Sequence, residues 1–318
     1  MPVQHLRGML GDDRVQPLLD RRGGELGMRA ELHFIYRVVG VLCLAAVAAG
    51  RGWAAPLRFV QLNSARGEVT KQLGKNPMWR PVKVGDKLKQ ADQLRTGKNS
   101  TAVLRLDGAD STLVYVAPNT LLKIISLSTA KTGGRQSQFL VSRGGVNSKV
   151  RGLLNRDSTL EIRTPACMGG VRGTELAVTA STEGLTAFGV TEGAVAVTAQ
   201  GQEVALPTGT MNRTKPGEAP TPPEPLPTSL EITLEQPAPD LITNQPALEL
   251  RGRTAVGALL SLNGDDLLVR DDGTFSATAT LKEGDNFFTF RGTDVANNKA
   301  EVVRKVTLDT RPPALQLQ

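Results

Sequence analysis

The feature that most constrains this chain is an alternation of apolar and polar residues in short runs, with few residues between runs. In "STAVLRLDG" it places Ala102, Leu104 and Leu106 on one face and ends at Asp107-Gly108, a turn pair. "STLVYVAPNTLLKI" follows, broken at Pro118-Asn119, and then "QFLVSRGG", "STLEIRTP", "TELAVTAS", "LTAFGVTEG", "AVAVTAQG" and "QEVALPTG". No run carries a helical period, and β-branched residues dominate, as a pleated, half-buried surface prefers. The expected fold class is all-β. Gly67-Glu68-Val69, Gly144-Gly145-Val146 and Gly193-Ala194-Val195 each follow a charged residue. The glycine is expected to permit a positive φ or a bulge and the valine to re-enter a sheet. Three occurrences at irregular spacing suggest a coiled, solenoid-like β-architecture.

The chain divides further. "KPGEAPTPPEPLPTS", Lys215 to Ser229, has six prolines and no apolar period, and reads as an extended, semi-rigid linker that sets reach. Beyond it, from Leu230, about seven strands in ninety residues suggest a small antiparallel sandwich. Its turn signals are Asn263-Gly264, Asp272-Gly273 and Asn297-Asn298. The last residues, 312–318, resemble the start of that segment and are expected to open a further copy. Residues 1–54 are expected to be a leader and signal peptide, with Met28 as the true start. "VVGVLCLAAVAAG", Val38–Gly50, has the length and flanks of a secretory core and is short for a membrane span, with cleavage expected near Ala54. Cys43 lies inside that core, where lipidation is not expected. The protein is therefore expected in the periplasm, secreted or at the cell surface. An uncleaved Val38–Gly50 would hold it in the membrane.

Removal of the signal also limits the chemistry. His5 and His33 leave with it, and Cys167 becomes the sole cysteine. Histidine-based catalysis and histidine-ligated metals are then excluded, as is an intramolecular disulfide. Charge is uneven: residues 55–215 hold 22 Lys and Arg against 11 Asp and Glu, and residues 228–318 hold 9 against 13. The basic half suggests an anionic partner, with Lys83, Lys87, Lys89, Arg95 and Lys98 as an anion-binding patch, or else a well-solvated surface. Acids that a glycan-cleaving enzyme would need, such as Asp107, Asp110, Asp157 and Glu161, show no spacing that singles out a pair. "NGDDLLVRDDG" lacks the ligand pattern of a calcium loop and reads as hairpin turns.

"TPACMGGVRGTEL", Thr164–Leu176, has the look of a catalytic loop. No base is available for a cysteine nucleophile, and the glycines lead into a strand, not the helix that a phosphate cradle needs. The structural reading has Pro165 ending a strand and Gly169, Gly170 and Gly173 making a tight turn. Val171 and Leu176 point to a core, and Arg172 pairs with Glu175 across the corner. Cys167 reads as a small buried side chain.

This stretch resembles the signature of the FecR domain, a bacterial extracytoplasmic module. "GEVTKQ", "VKVGDKLKQADQLRTGKNSTAVLRLDGADSTLVYVAPNTLLKI", "LVSRGGV" and "VTEGAVAVTAQGQEVALPTGT" resemble its further blocks, in order, over residues 60–212. The resemblance implies a twisted, solenoid-like β-module over 55–214. Its signature residues Thr164, Pro165, Val171, Arg172, Gly173, Thr174 and Glu175 would then be structural, with no catalytic residue, cofactor or metal. Cys167 and Met168 depart from the small apolar residues more usual there. Well-known members join such a module to a cytoplasmic domain that controls a sigma factor. The thirty-seven residues before the apolar run are too few for that domain. Residues 230–311 resemble bacterial Ig-like modules, usually spacers or adhesion units. The function expected is an exported, non-catalytic envelope binding or scaffold protein. Its partner would be an envelope protein or an anionic envelope polymer, not nucleic acid. Alternatives are a membrane-anchored sensor of the sigma-regulating kind and an accessory part of a glycan-processing system.

Overall fold

The computed structural model describes residues 58–106, 112–150, 157–171 and 173–311. Four expectations therefore lie outside the described residues: the leader and signal, the Asp107-Gly108 turn, Arg172, and the further repeat at 312–318. Leu57–Gln318 is one compact unit. Among the described residues every regular element is a strand.

The front of the unit is built from β1 (Val60–Arg66), β2 (Val69–Gln72), β3 (Trp79–Pro81), β4 (Lys87–Leu88), β5 (Gln93–Thr96) and β6 (Thr101–Leu106). It continues with β7 (Leu113–Val116), β8 (Leu121–Thr129), β9 (Arg135–Lys149), β10 (Thr159–Arg163), β11 (Met168–Val171) and β12 (Glu175–Ala180). Then come β13 (Thr186–Glu192), β14 (Ala194–Ala199), β15 (Gln202–Pro207), β16 (Thr210–Thr214) and β17 (Glu224–Pro225). These strands form two facing sheets. One runs β4-β1-β6-β7-β9-β12-β13-β16-β17. The other runs β3-β2-β5-β8-β9-β10-β11-β14-β15. The long β9 belongs to both: its first half pairs β8 and β10 and its second half pairs β7 and β12.

The chain thus crosses from sheet to sheet many times, and the Gly-X-Val elements mark three of the crossings. Gly67, Gly144 and Gly193 have φ of 76°, 88° and 84°. Gly67 lies between β1 and β2, Gly144 at the bend of β9, and Gly193 between β13 and β14. Each corner glycine lies under a Ser or Thr of a neighbouring corner. A Cβ on Gly67 would meet Ser100 Oγ at 2.4 Å, and one on Gly144 would meet Thr120 Oγ1 at 2.3 Å. The hydroxyl also takes the N–H that follows the glycine: Glu68 donates to Ser100 at 2.8 Å and Gly145 to Thr120 at 3.0 Å. Arg135, after Gly134, donates to Ser158 Oγ at 3.0 Å. Absence of a side chain lets one corner stack on the next, and the hydroxyl satisfies an N–H that the sheets leave over. Expectation and structure agree here.

Alternation is realised as burial. Ala102, Leu104 and Leu106 are all buried between the sheets, with Leu122, Ile124, Leu160, Ile162, Val195 and Val197. Two strands depart furthest from the rule. In β12, residues 176–180 are all buried, and in β13 so are residues 186–190. Leu176, Val178, Phe188 and Val190 face the core between the sheets. On the opposite side Ala177 and Ala187 join Met211, Val295 and Leu226 in a second cluster, to which the rear of the chain contributes Val295.

That rear part is a sandwich of β18 (Ile232–Gln236), β19 (Leu241–Thr243), β20 (Ala247–Thr254), β21 (Leu259–Leu262), β22 (Asp265–Leu267), β23 (Thr274–Thr280), β24 (Gly284–Thr293) and β25 (Lys299–Leu308). One sheet is β18-β20-β23 and the other β19-β25-β24-β21-β22, antiparallel except for β19 against β25. Phe275 and Phe290 meet in its core with centroids 5.7 Å apart. Asn263, Gly264, Gly273 and Asn297 take positive φ at the turns expected of them.

The proline-rich stretch is more than a spacer. Thr221 and Arg213 exchange backbone and side-chain bonds at 2.8 and 2.9 Å, Leu226 donates to Gly209 O at 2.9 Å, and β17 pairs β16. Arg213 holds Glu224 in an ion pair and donates to Val256 O at 3.0 Å. The expectation of a reach-setting linker is corrected by these bonds. Thr210–Thr214 offers an open sheet edge, and the stretch lies along it.

Candidate functional site

The signature stretch is a hairpin and a corner. β10 and β11 pair from Leu160↔Val171 to Arg163↔Met168, so Thr164-Pro165-Ala166-Cys167 is the turn. Thr164 donates its N–H to Cys167 O at 2.9 Å, and its Oγ1 accepts from Cys167 N at 3.1 Å. Gly169 and Gly170 are not in a turn, as the sequence suggests, but inside β11. Gly169 is bare because Phe188 lies on it: a Cβ would come within 2.2 Å of the ring. Gly173, with φ of 67°, makes the corner into β12. Val171 and Leu176 are buried as expected. Glu175 binds Lys149 Nζ at 2.6 Å, while its expected partner Arg172 lies outside the described residues. Cys167 is buried, and desolvation pushes its thiol up, only partly offset by the hydroxyls of Thr214, Thr164 and Thr186. Such a thiol is held as the unreactive form.

The five cations expected as a patch are not gathered on one surface. Lys87 lies on β4, above the Phe59 ring at 4.3 Å, and Arg95 on β5 of the other sheet, above Trp79 at 4.6 Å. Lys83 and Lys89 stand at turns whose N–H groups bond Asp86 and Asp92. Lys98 faces the rear sandwich and pairs with Asp265 at 2.6 Å.

Lys98 leads to the feature that the sequence did not reveal. The sandwich docks against the front module, and part of the charge asymmetry is answered within the chain. Lys215 pairs with Asp271 at 2.7 Å. Asn119 donates to Gly264 O at 2.9 Å, and Thr179 donates to Gly257 O at 2.7 Å. Asn298 donates to Pro227 O at 2.8 Å. Glycines set the approach. A Cβ on Gly189 would meet Leu226 at 2.9 Å and both the side chain and the carbonyl of Val295 at 3.0 Å. One on Gly145 would meet Leu259 at 2.9 Å. A buried valine such as Val295 contributes on the order of 1.5–3 kcal/mol to such a seam.

Beside the seam a cleft of about 510 Å³ lies between the modules. Ala117, Ala180, Leu259 and Leu268 supply apolar walls, and Asn119, Arg143, Asp266, Arg291, Lys299 and Glu301 the polar ones. Arg291 is held by Glu301 at 2.8 Å. Desolvation pushes the Asp266 carboxyl up, opposed by a hydrogen bond from Asn119 and by the charge of Arg143, while Asp265 adds to the rise. Among the described residues no group of His, Cys, Asp and Glu could hold a metal ion. The arrangement suits binding: a half-open cleft of ligand size, apolar walls, and a few fixed charges.

Fold and site together define an all-β protein of two modules closed on a shared cleft. Residues 92–196 match the family model for FecR protein, and residues 230–310 that for Glucodextranase, domain B. The chain therefore carries a FecR module followed by an Ig-like sandwich. The FecR match starts at Asp92, just before β5, and ends within β14, yet β1–β4 and β15–β17 extend the same two sheets. No curated protein matches the chain. Two crystal structures of a candidate anti-sigma factor from Parabacteroides distasonis ATCC 8503 align at 16% and 17% identity, with TM-scores of 0.35 and 0.34. Each alignment covers 42% of this chain and 59% of that one, so this chain spans under two thirds of that protein. The fibronectin(III)-like modules of Clostridium thermocellum CbhA align at 10% identity over 62% of this chain and 99% of theirs, with a TM-score of 0.22. Likenesses so distant say nothing of this chain's function.

Proposed function

We propose that the chain is an exported, non-catalytic recognition protein of the cell envelope, in which the FecR module and the docked sandwich act as one rigid reader. FecR modules belong to extracytoplasmic regulators and sensors, which supports the regulatory side of this reading. The observation that carries it is the glycine-lined seam at Gly189 and Gly145. It fixes two modules around a cleft, and neither module would need such close contact if it were a spacer. Of the acids considered for glycan cleavage, Glu161 is engaged by Gln138 at 2.7 Å and lies 3.5 Å from Arg163. Asp107 and Asp110 lie outside the described residues. No helix among the described residues is long and apolar enough to cross a membrane.

The test is the intact mass and N-terminal peptide of the protein from fractionated cells. A chain beginning near Ala55 in the periplasmic or secreted fraction is the expected result. A chain that keeps Val38–Gly50 and sediments with membranes would replace the soluble reader with an anchored sensor. A cytosolic chain would overturn the reading.

A further inference from the structure

Arg143 and Lys299 line the cleft, and neither makes an ion pair among the described residues. The remaining charges are occupied or disfavoured. Arg291 is neutralised by Glu301, and the single carboxylate Asp266, whose charge burial opposes and Arg143 and Asn119 favour, forms no ion pair with Arg143 or Lys299 among the described residues, so two cations face one acid. The cleft therefore has surplus positive charge above walls formed by Ala117, Ala180, Leu259 and Leu268. Arg143 is also well placed to stay there. It directly precedes Gly144, whose positive φ turns β9 from one sheet into the other, so its backbone is fixed by the corner. Asn119, from the adjoining corner, is tied across the cleft to Gly264, which keeps the opposite wall in place.

We propose that this cleft binds a small amphiphile with an apolar body and a single anionic head, the head held by Arg143 and the body laid on Leu259 and Leu268. The proposal rests on the reading of the chain as a recognition protein and names the ligand class of its cleft. The head is a carboxylate or a phosphate, both of which a guanidinium can bind through two parallel hydrogen bonds. Lys299 would add charge at the mouth. An inorganic anion alone would lack the apolar contact, and a neutral amphiphile would leave the surplus positive charge of the cleft unanswered.

The test is calorimetric titration of the full chain with decanoate, decyl phosphate, decanol and inorganic phosphate, each below its aggregation concentration. One-site saturation by decanoate or decyl phosphate is expected, the tighter of the two identifying the head. Decanol and phosphate should bind at least about tenfold more weakly, as loss of a charge-assisted bond or of the apolar body implies. Arg143→Gln should weaken the anionic amphiphile about ten- to a hundredfold, and Ala117→Phe, which puts a ring on the apolar wall, should abolish binding while circular dichroism stays that of the native fold. The proposal is overturned by absence of saturable binding, by equal binding of decanol, or by unchanged affinity in both variants. Those results would leave a periplasmic recognition protein standing. A cytosolic location would strike that broader reading even if the titrations succeeded.

Discussion

β6 and β13 lie in the same sheet and teach different lessons. β6 alternates, with Ala102, Leu104 and Leu106 inside and Thr101 and Arg105 toward solvent. β13 is buried on both faces over residues 186–190: Phe188 and Val190 face the core, while Ala187 and Gly189 face the sandwich. The first pattern builds a sheet with one wet side. The second, a run of small residues on the outer face, builds a sheet on which another module can sit. Small outer residues on a strand are therefore a docking signal, not only a β-signal.

That contrast can be tested at single positions. The largest effect is expected inside β11, where neighbouring glycines differ. Gly169→Ala would drive its Cβ into the fully buried Phe188 ring, at a cost of about 3 kcal/mol in denaturant unfolding. Gly170→Ala, whose Cβ would find its nearest neighbour at 4.0 Å, should be close to neutral. Equal costs at the two sites would refute the packing given for β11.

Next come the corners. Thr120→Val removes the acceptor of the Gly145 N–H and should cost about 1–3 kcal/mol, the penalty of a buried unmade bond. The equivalent Thr174→Val should cost little, because Thr174 Oγ1 has no hydrogen-bond partner among the described residues and its methyl covers Gly193, where an added Cβ would meet it at 2.5 Å. Urea titrations of the pair would sharpen the distinction between bonded and merely packed corners.

At the seam, Gly189→Ala must displace Leu226 and Val295, including a backbone carbonyl, at a cost of about 1–2 kcal/mol. The loss should appear as faster hydrogen exchange in 255–258 and 294–296, with the front core unaffected. Val103→Thr on β6, whose side chain is only half-buried, should leave exchange in the sandwich unchanged.

The smallest effect concerns Asp266. Its folded-state pKa is raised, so the favourable, protonated state is lost as pH rises through that value, and the charged carboxyl penalises the fold above it. Asp266→Asn should therefore raise the melting temperature slightly at pH 7 and narrow its gap to wild type near pH 3. A variant less stable than wild type at pH 7 would show that the attraction of Arg143 outweighs desolvation.

Much of the fold was legible because strand period and turn chemistry act locally. The alternation in "STAVLRLDG", the three Gly-X-Val elements and the Asn-Gly pair at 263–264 each dictate their own backbone. The docking was not legible, because it depends on residues far apart in the sequence. Asn119 meets Gly264 and Thr179 meets Gly257, and neither pair has a sequence signature. The basic and acidic halves did hold the clue. The front's excess charge points to an outside anion, yet Lys98 and Lys215 are answered by Asp265 and Asp271 of the same chain. Likewise the glycines at 169 and 170 look like a turn by composition, when Gly169 is reserved for a ring that arrives from Phe188.

The central claim is that FecR module and sandwich form one body. Small-angle X-ray scattering of the protein at physiological salt tests it most directly. One body gives a pair-distance distribution with a single main maximum, unchanged between wild type and Val103→Thr but broadened in Gly189→Leu. Two separated maxima for wild type would mean that the modules swing independently, and the shared cleft would not exist.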